Sequence, residues 1–68
     1  MRDYTNSEMR EIIDEHIHSE RDRLILKLVF IDGYSHENIA ARKDVDLSPR
    51  RVSSIVSKGS LIISKYLE

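Results

Sequence analysis

The sequence predicts an all-α domain of four helices in which the last two form a helix-turn-helix. Three observations support this fold class. Residues that cap helices stand at four places, apolar residues follow them at helical spacing, and the 68-residue length suits one small domain. We therefore expect a single domain over residues 1–68. Its helices are predicted at about residues 6–18, 20–32, 36–43 and 49–67.

Thr5 begins the first predicted helix. Glu8 follows three residues later, which is the spacing of a capping box, where each side chain accepts a hydrogen bond from the other residue's backbone N–H. Tyr4 and Met9 are spaced to pack against each other across this cap. Five residues follow at helical spacing, and we expect them on the side of the first helix that faces the core: Met9, Ile12, Ile13, His16 and Ile17.

Ser19 begins the second predicted helix, which contains the longest apolar stretch of the chain, residues 24–31. This stretch is apolar on nearly all sides, as expected of a buried central helix. A strand is the competing interpretation, but the charged residues 20–23 and the leucine content favour a helix. Gly33 is predicted to end this helix, because glycine adopts the left-handed conformation at little cost.

Ser35 and Ser48 begin the third and fourth predicted helices. Pro49 stands at the first position of the fourth helix, where its missing N–H costs nothing. The short third helix, the polar connection at residues 44–47 and the long fourth helix form the pattern of a helix-turn-helix. In that motif the second helix enters the DNA major groove, and its early residues reach base edges.

Charge is distributed unevenly along the chain, although the net charge is only −1. Residues 1–41 contain five Lys or Arg and nine Asp or Glu, which sum to −4. Residues 42–68 contain six Lys or Arg and three Asp or Glu, which sum to +3. We therefore expect only the C-terminal part to face the phosphates of a nucleic acid.

The fourth helix has one polar and one apolar side when it is turned at ~100° per residue. Arg50, Ser54 and Ser57 lie on the polar side, and residues 49–67 include no acidic residue. Arginine donates two hydrogen bonds to guanine, serine bonds bases or phosphates, and lysine neutralises phosphate. An ordinary solvated side is the competing interpretation, but the capped helix pair and the charge asymmetry favour DNA.

The predicted apolar side of the fourth helix comprises Val52, Ile55, Val56, Gly59, Ile63 and Tyr66. A glycine inside a helix, such as Gly59, indicates either close packing against the central helix or a local bend. Its position on the inward side favours close packing.

A pattern of segments runs through the last two thirds of the chain. It comprises residues 23–26, 30–35 and 37–40, then Leu47, Ser48, Val52, Ile55, Lys58 and Leu67. With this pattern, residues 21–67 resemble the fourth conserved region of bacterial sigma factors and small phage activators built on the same helix-turn-helix. The resemblance implies base contacts at Arg50, Arg51, Ser53 and Ser54, and phosphate contacts at Ser35, His36 and Lys58. The predicted DNA-binding set also includes Arg42, Lys43, Ser48 and Ser57.

The turn between the third and fourth helices departs from that family. Seven residues separate Ala40 from Ser48, which is longer than the turn family members usually have, and none of them is glycine. Asp44 and Asp46 lie in this turn and would repel phosphate if they faced it.

Other chemistry is not indicated by the sequence. The chain has no cysteine, no glycine-rich phosphate loop and no nucleophile–base spacing, so we expect neither an enzyme nor a cofactor. His16 and His18 would diverge on a helix, so we expect no metal site. The longest apolar stretch is too short to span a bilayer, and we expect a cytoplasmic protein of a bacterium or a phage.

Double-stranded DNA is the predicted partner, with RNA polymerase as a second candidate. Leu61 and Ile62 lie away from the predicted core and would suit a homodimer through the C-terminal helix. The alternative hypothesis is a protein-interaction module that binds RNA polymerase, a sigma factor or another regulator. The net charge, the acidic N-terminal half and the long turn favour this alternative.

Overall fold

The computed structural model describes residues 5–67, and in these residues it contains four α-helices and no strand. The helices are α1 (Asn6–His16), α2 (Glu20–Phe30), α3 (His36–Ala40) and α4 (Pro49–Ser64). The predicted all-α fold class is confirmed, and the apolar stretch is helical up to Phe30. The predicted contact between Tyr4 and Met9 falls outside the described residues. None of the helices in residues 5–67 combines the length and the apolar character needed to cross a membrane.

All four helices begin at the predicted capping residue. Thr5, Ser19, Ser35 and Ser48 have extended backbones, and each side-chain oxygen accepts a hydrogen bond from the backbone N–H three residues further on. The oxygen–nitrogen distances lie between 3.1 and 3.4 Å. The Glu8 side chain accepts a hydrogen bond from the backbone N–H of Thr5, which completes the predicted capping box.

Helices α1 and α2 end two residues before their predicted ends. Ile17 follows α1 with an extended backbone because its side chain turns into the core, and its carbonyl accepts a hydrogen bond from the Arg23 side chain. Gly33 has the predicted left-handed backbone, with a φ of +74°, but it lies two residues beyond the C-cap Ile31 and not directly after the helix. The N–H of Tyr34 then donates to the carbonyl of Leu28 at 2.9 Å, which closes the end of α2.

Helices α3 and α4 end three residues before their predicted ends. After α3, the N–H of Val45 donates to the carbonyl of Arg42, and the resulting turn buries the Val45 side chain.

After α4, the N–H of Tyr66 donates to the carbonyl of Ile63 at 2.9 Å. Because the chain has left the helix there, Tyr66 is 49% exposed, and its predicted place on the apolar side is wrong. Its ring stacks on that of His16, with 3.5 Å between the ring centroids.

Helix α2 lies between two hydrophobic clusters. The first joins α2 to the helix-turn-helix and consists of Ile25, Leu28, Ile39, Val45 and Val52. The second joins α2 to α1 and to the end of α4 and consists of Ile13, Ile17, Leu26 and Ile63. Burying a side chain of this size contributes on the order of 1.5–3 kcal/mol to the free energy of unfolding. The helix-turn-helix is therefore held in place by α2.

Gly59 lies on the buried side of α4, directly against Leu26 of α2. A Cβ atom at this position would lie 2.6 Å from both terminal carbons of Leu26, closer than such atoms can approach. Close packing is therefore the correct interpretation of this glycine. Its missing side chain sets how near α2 and α4 approach.

An ion pair on the surface joins α1 to α2. Lys27 Nζ lies 2.7 Å from Asp14 Oδ1, and this hydrogen bond is the main cause that lowers the pKa of Asp14. A carboxyl with a lower pKa in the folded state stabilises the fold above its unfolded pKa, about 3.9, and loses this effect as the pH falls through the lowered value. We therefore expect Asp14→Asn to be less stable than the parent at pH 7 and equal to it in acid below that value.

Urea unfolding at a series of pH values measures this difference. The difference should be small, because exposed ion pairs are screened by solvent. Glu11→Gln is the control, since Glu11 is exposed on the same helix and forms no ion pair within residues 5–67. A gap between Asp14→Asn and the parent that stays constant down to the lowest pH would contradict the prediction.

Candidate nucleic-acid interface

The turn between α3 and α4 closes without glycine because Asp46 adopts the left-handed conformation, with a φ of 52°. Aspartate tolerates this conformation better than most residues do. The N–H of Asp46 donates to the carbonyl of Arg42 at 3.0 Å. Val45, one residue earlier, is buried in the same cluster as Ile39 of α3 and Val52 of α4. The long turn is thus anchored in the core.

Arg42, a predicted DNA-binding residue, is engaged within this turn. Its Nε and Nη2 atoms donate to the two carboxylate oxygens of Asp44, both at 2.9 Å. The pair lowers the pKa of Asp44 and raises the pKa of Arg42. The guanidinium carbon also lies 6.0 Å from the centre of the Tyr34 ring. The Asp44 charge is therefore balanced by Arg42 within the turn. Lys43, Asp44 and Asp46 are all exposed.

A hydrogen bond joins the two helices of the motif. His36 Nδ1 and Ser53 Oγ are 2.7 Å apart, and both side chains are half-buried. His36 is the first residue of α3, and Ser53 lies in the second turn of α4, so the bond holds the start of α3 against α4. Two predicted DNA contacts are thus bonded to each other, a pairing that was not predicted from the sequence.

One side of α4 is open to solvent and carries five of the predicted DNA contacts. We call these exposed residues the polar face of α4: Arg50, Arg51, Ser54, Ser57 and Lys58. Within residues 5–67, its three cationic side chains form neither ion pairs nor hydrogen bonds. Ser35 and Ser48, two further predicted contacts, are exposed and cap their helices.

A cleft borders the polar face on the side toward α1 and α2, and encloses about 440 Å³. Its floor is apolar and includes Ile17, Leu26 and Gly59. Its edge is basic and includes Arg21, Arg51 and Lys58. The cleft was not predicted from the sequence, and Arg21 was not among the predicted site residues. No local spacing indicates the cleft, since its two walls come from distant parts of the chain.

Comparison of the chain with family models, with curated proteins and with solved structures finds no match. In the described part of the chain, no three His, Asp or Glu side chains are grouped so that they could hold a metal ion. DNA contact by the predicted residues stays a prediction, and the structure adds where each of them lies.

Proposed function

We propose that this chain is a sequence-specific, double-stranded DNA-binding transcription regulator, with α4 as its recognition helix. The observation that carries the proposal is the division of α4 into two sides. Its polar face is exposed, whereas Val52, Gly59 and Ile63 on the other side are buried. A helix held in this way presents one side to a DNA groove while its other side fixes it to the domain.

The dimensions of α4 suit the major groove. Its 16 residues form a rod about 24 Å long at ~1.5 Å per residue. The groove is about 12 Å wide and admits an α-helix. Arg50 lies in the first turn of α4, and the short side chains of Ser54 and Ser57 allow the backbone to approach bases closely.

The charges around α4 favour phosphate. Arg50, Arg51 and Lys58 have no ion pair among the described residues, and α4 contains no acidic residue. The pairing of Asp44 with Arg42 reduces the repulsion that the turn would otherwise exert. The N-terminus of α4 adds a partial positive charge of its own.

Binding to DNA is expected to weaken steeply as salt is added. Each cation that neutralises a phosphate releases condensed counterions, which gives a slope of about −0.9 per contact in a plot of log K against log salt. Contacts from the three cations of the polar face would give a slope of about −3. Fluorescence anisotropy of a labelled mixed-sequence duplex, titrated with the full chain from low to high ionic strength, measures this slope.

Two variants sharpen the titration. Lys58→Gln should weaken binding to all duplexes similarly and flatten the slope by about 1. Lys65→Gln is the matched control, because Lys65 is exposed but follows the end of α4, and it should change the slope less. Absence of binding at the lowest ionic strength would contradict the proposed function.

A protein-interaction module is the second candidate, favoured by the exposed apolar side chains in the last turn of α4 and just after it. Leu61 is 67% exposed, and Ile62 and Tyr66 are also exposed. Exposed apolar side chains at one end of a helix suit a protein partner such as RNA polymerase, a sigma factor or a second copy of the chain. Retention of purified RNA polymerase by the immobilised chain, together with no gel shift at low ionic strength, would favour this candidate over the first.

A further inference from the structure

The cleft beside the polar face has the size and lining of a small-molecule site. Its volume of about 440 Å³ falls within the range of about 300–1,000 Å³ typical of ligand pockets. Its apolar lining comes from the residue after α1, from α2 and from α4, and includes Ile17, Leu26, Ile55 and Ile62. Ile17 and Leu26 are buried, whereas Ile55 is half-buried and Ile62 is exposed, so a ligand there would remove mainly the apolar area of Ile55 and Ile62 from water.

The edge of the cleft is positively charged. Arg21 from α2 and Arg51 and Lys58 from α4 line it, and Asp22 is the one carboxylate in its lining. Arg21 Nε lies 3.6 Å from Asp22 Oδ1, whereas Arg51 and Lys58 form no ion pair within residues 5–67. Three cationic side chains and one carboxylate give the cleft lining a net charge of +2, with its histidines counted as neutral. Unpaired cations beside an apolar floor favour a ligand with an acidic group and an apolar body.

We propose that the cleft binds a small amphipathic organic anion, meaning an aromatic or aliphatic body that carries a carboxylate, sulfonate or phosphate group. The body lies on the apolar floor, and the acidic group lies at the edge near Arg21, Arg51 and Lys58. An inorganic anion uses only the edge, and a neutral apolar molecule uses only the floor. Both therefore bind more weakly than a molecule that has the two parts joined.

Ligand binding in the cleft competes with DNA, because Arg51, Ser54 and Lys58 belong both to the cleft lining and to the polar face of α4. An anion held there neutralises charges that the proposed function assigns to phosphate contact. By linkage, DNA lowers the affinity for the anion by the same factor. This competition rests on the proposed function, whereas the binding site itself does not.

The first test uses the ¹⁵N-labelled full chain without DNA and naphthalene-2-sulfonate as the probe. Saturable NMR shifts are expected at the backbone N–H groups of Ile55 and Gly59, which line the cleft. Inorganic sulfate and 2-naphthalenemethanol are the matched comparators. Each lacks one of the two kinds of contact. The Kd of each should therefore be at least about tenfold higher than that of the sulfonate.

Three charge-removing variants locate the site. Arg21→Gln and Lys58→Gln should each raise the Kd for the sulfonate several-fold, because each removes a charge-assisted contact. Lys65→Gln should leave the Kd unchanged, since Lys65 is outside the cleft lining. Circular dichroism checks that all three remain folded. The proposed site would be overturned if Lys65→Gln raised the Kd for the sulfonate as much as Arg21→Gln and Lys58→Gln do. It would also be overturned if 2-naphthalenemethanol bound as tightly as the sulfonate.

The second test adds the sulfonate to the DNA titration. It should weaken DNA binding by the parent chain, and Arg21→Gln should reduce this inhibition without changing the affinity for DNA alone. If the sulfonate leaves DNA binding by the parent chain unchanged, the competition is overturned, whereas the first test alone decides whether the ligand site exists. If the chain binds the sulfonate but no DNA, the proposed function fails and the ligand site stands.

Discussion

Replacing Arg50 with alanine should weaken binding to the preferred duplex roughly 5- to 150-fold, or ~1–3 kcal/mol, and remove the preference at one base pair. Arg50 is exposed in the first turn of α4 and has no internal partner in the described residues. Its guanidinium is free to donate two hydrogen bonds to the major-groove edge of guanine. Competition anisotropy with duplexes changed one base pair at a time measures the loss.

Arg50→Lys is the matched control for this variant. Lysine keeps the positive charge but lacks the planar fork that binds guanine through two bonds. We therefore expect Arg50→Lys to keep the salt slope of the parent and to lose the base preference. If Arg50→Ala weakens binding to every duplex equally, Arg50 contacts phosphate instead of a base.

Replacing Gly59 with alanine should destabilise the fold by up to about 2 kcal/mol. Alanine is the better helix former by ~1 kcal/mol, but overpacking a core typically costs about 1–3 kcal/mol. The new Cβ would lie 2.6 Å from both terminal carbons of Leu26 and 3.1 Å from its Cγ. Leu26 is fully buried in the cluster with Ile13, Ile17 and Ile63, so a shift of its side chain disturbs that packing. Urea unfolding of the variant and the parent measures the difference.

A double-mutant cycle with Leu26 tests whether the close approach is the cause. Leu26→Ala alone should cost about 2–5 kcal/mol because it leaves a cavity. In the Gly59→Ala background the added methyl occupies part of that space, so the combined cost should be smaller than the sum by about 0.5–3 kcal/mol. Ser57→Ala, at an exposed position of α4, is the control for helix propensity alone. A net gain in stability from Gly59→Ala would contradict this account.

Helix starts followed from the sequence because a helix cap is a local interaction. Ser48 accepts its hydrogen bond from the N–H of Arg51, three residues away, and Pro49 fits only the first turn. Helix ends did not follow from the sequence, because they depend on residues far away in the chain. α3 ends at Ala40 because Val45 is drawn into a core that α2 and α4 supply.

The polar face of α4 was likewise predictable, because apolar residues at helical spacing indicate which side of a helix is buried. Only the tertiary structure decided which polar groups bond to one another. His36 and Ser53 are 17 residues apart in the chain and meet because α3 packs against α4. The cleft is formed by residues near the end of α1, in α2 and in α4, which are far apart in the chain and meet only in the folded domain. Local spacing thus determined the helices and their faces, whereas contacts between distant residues decided which charges stay available to a partner.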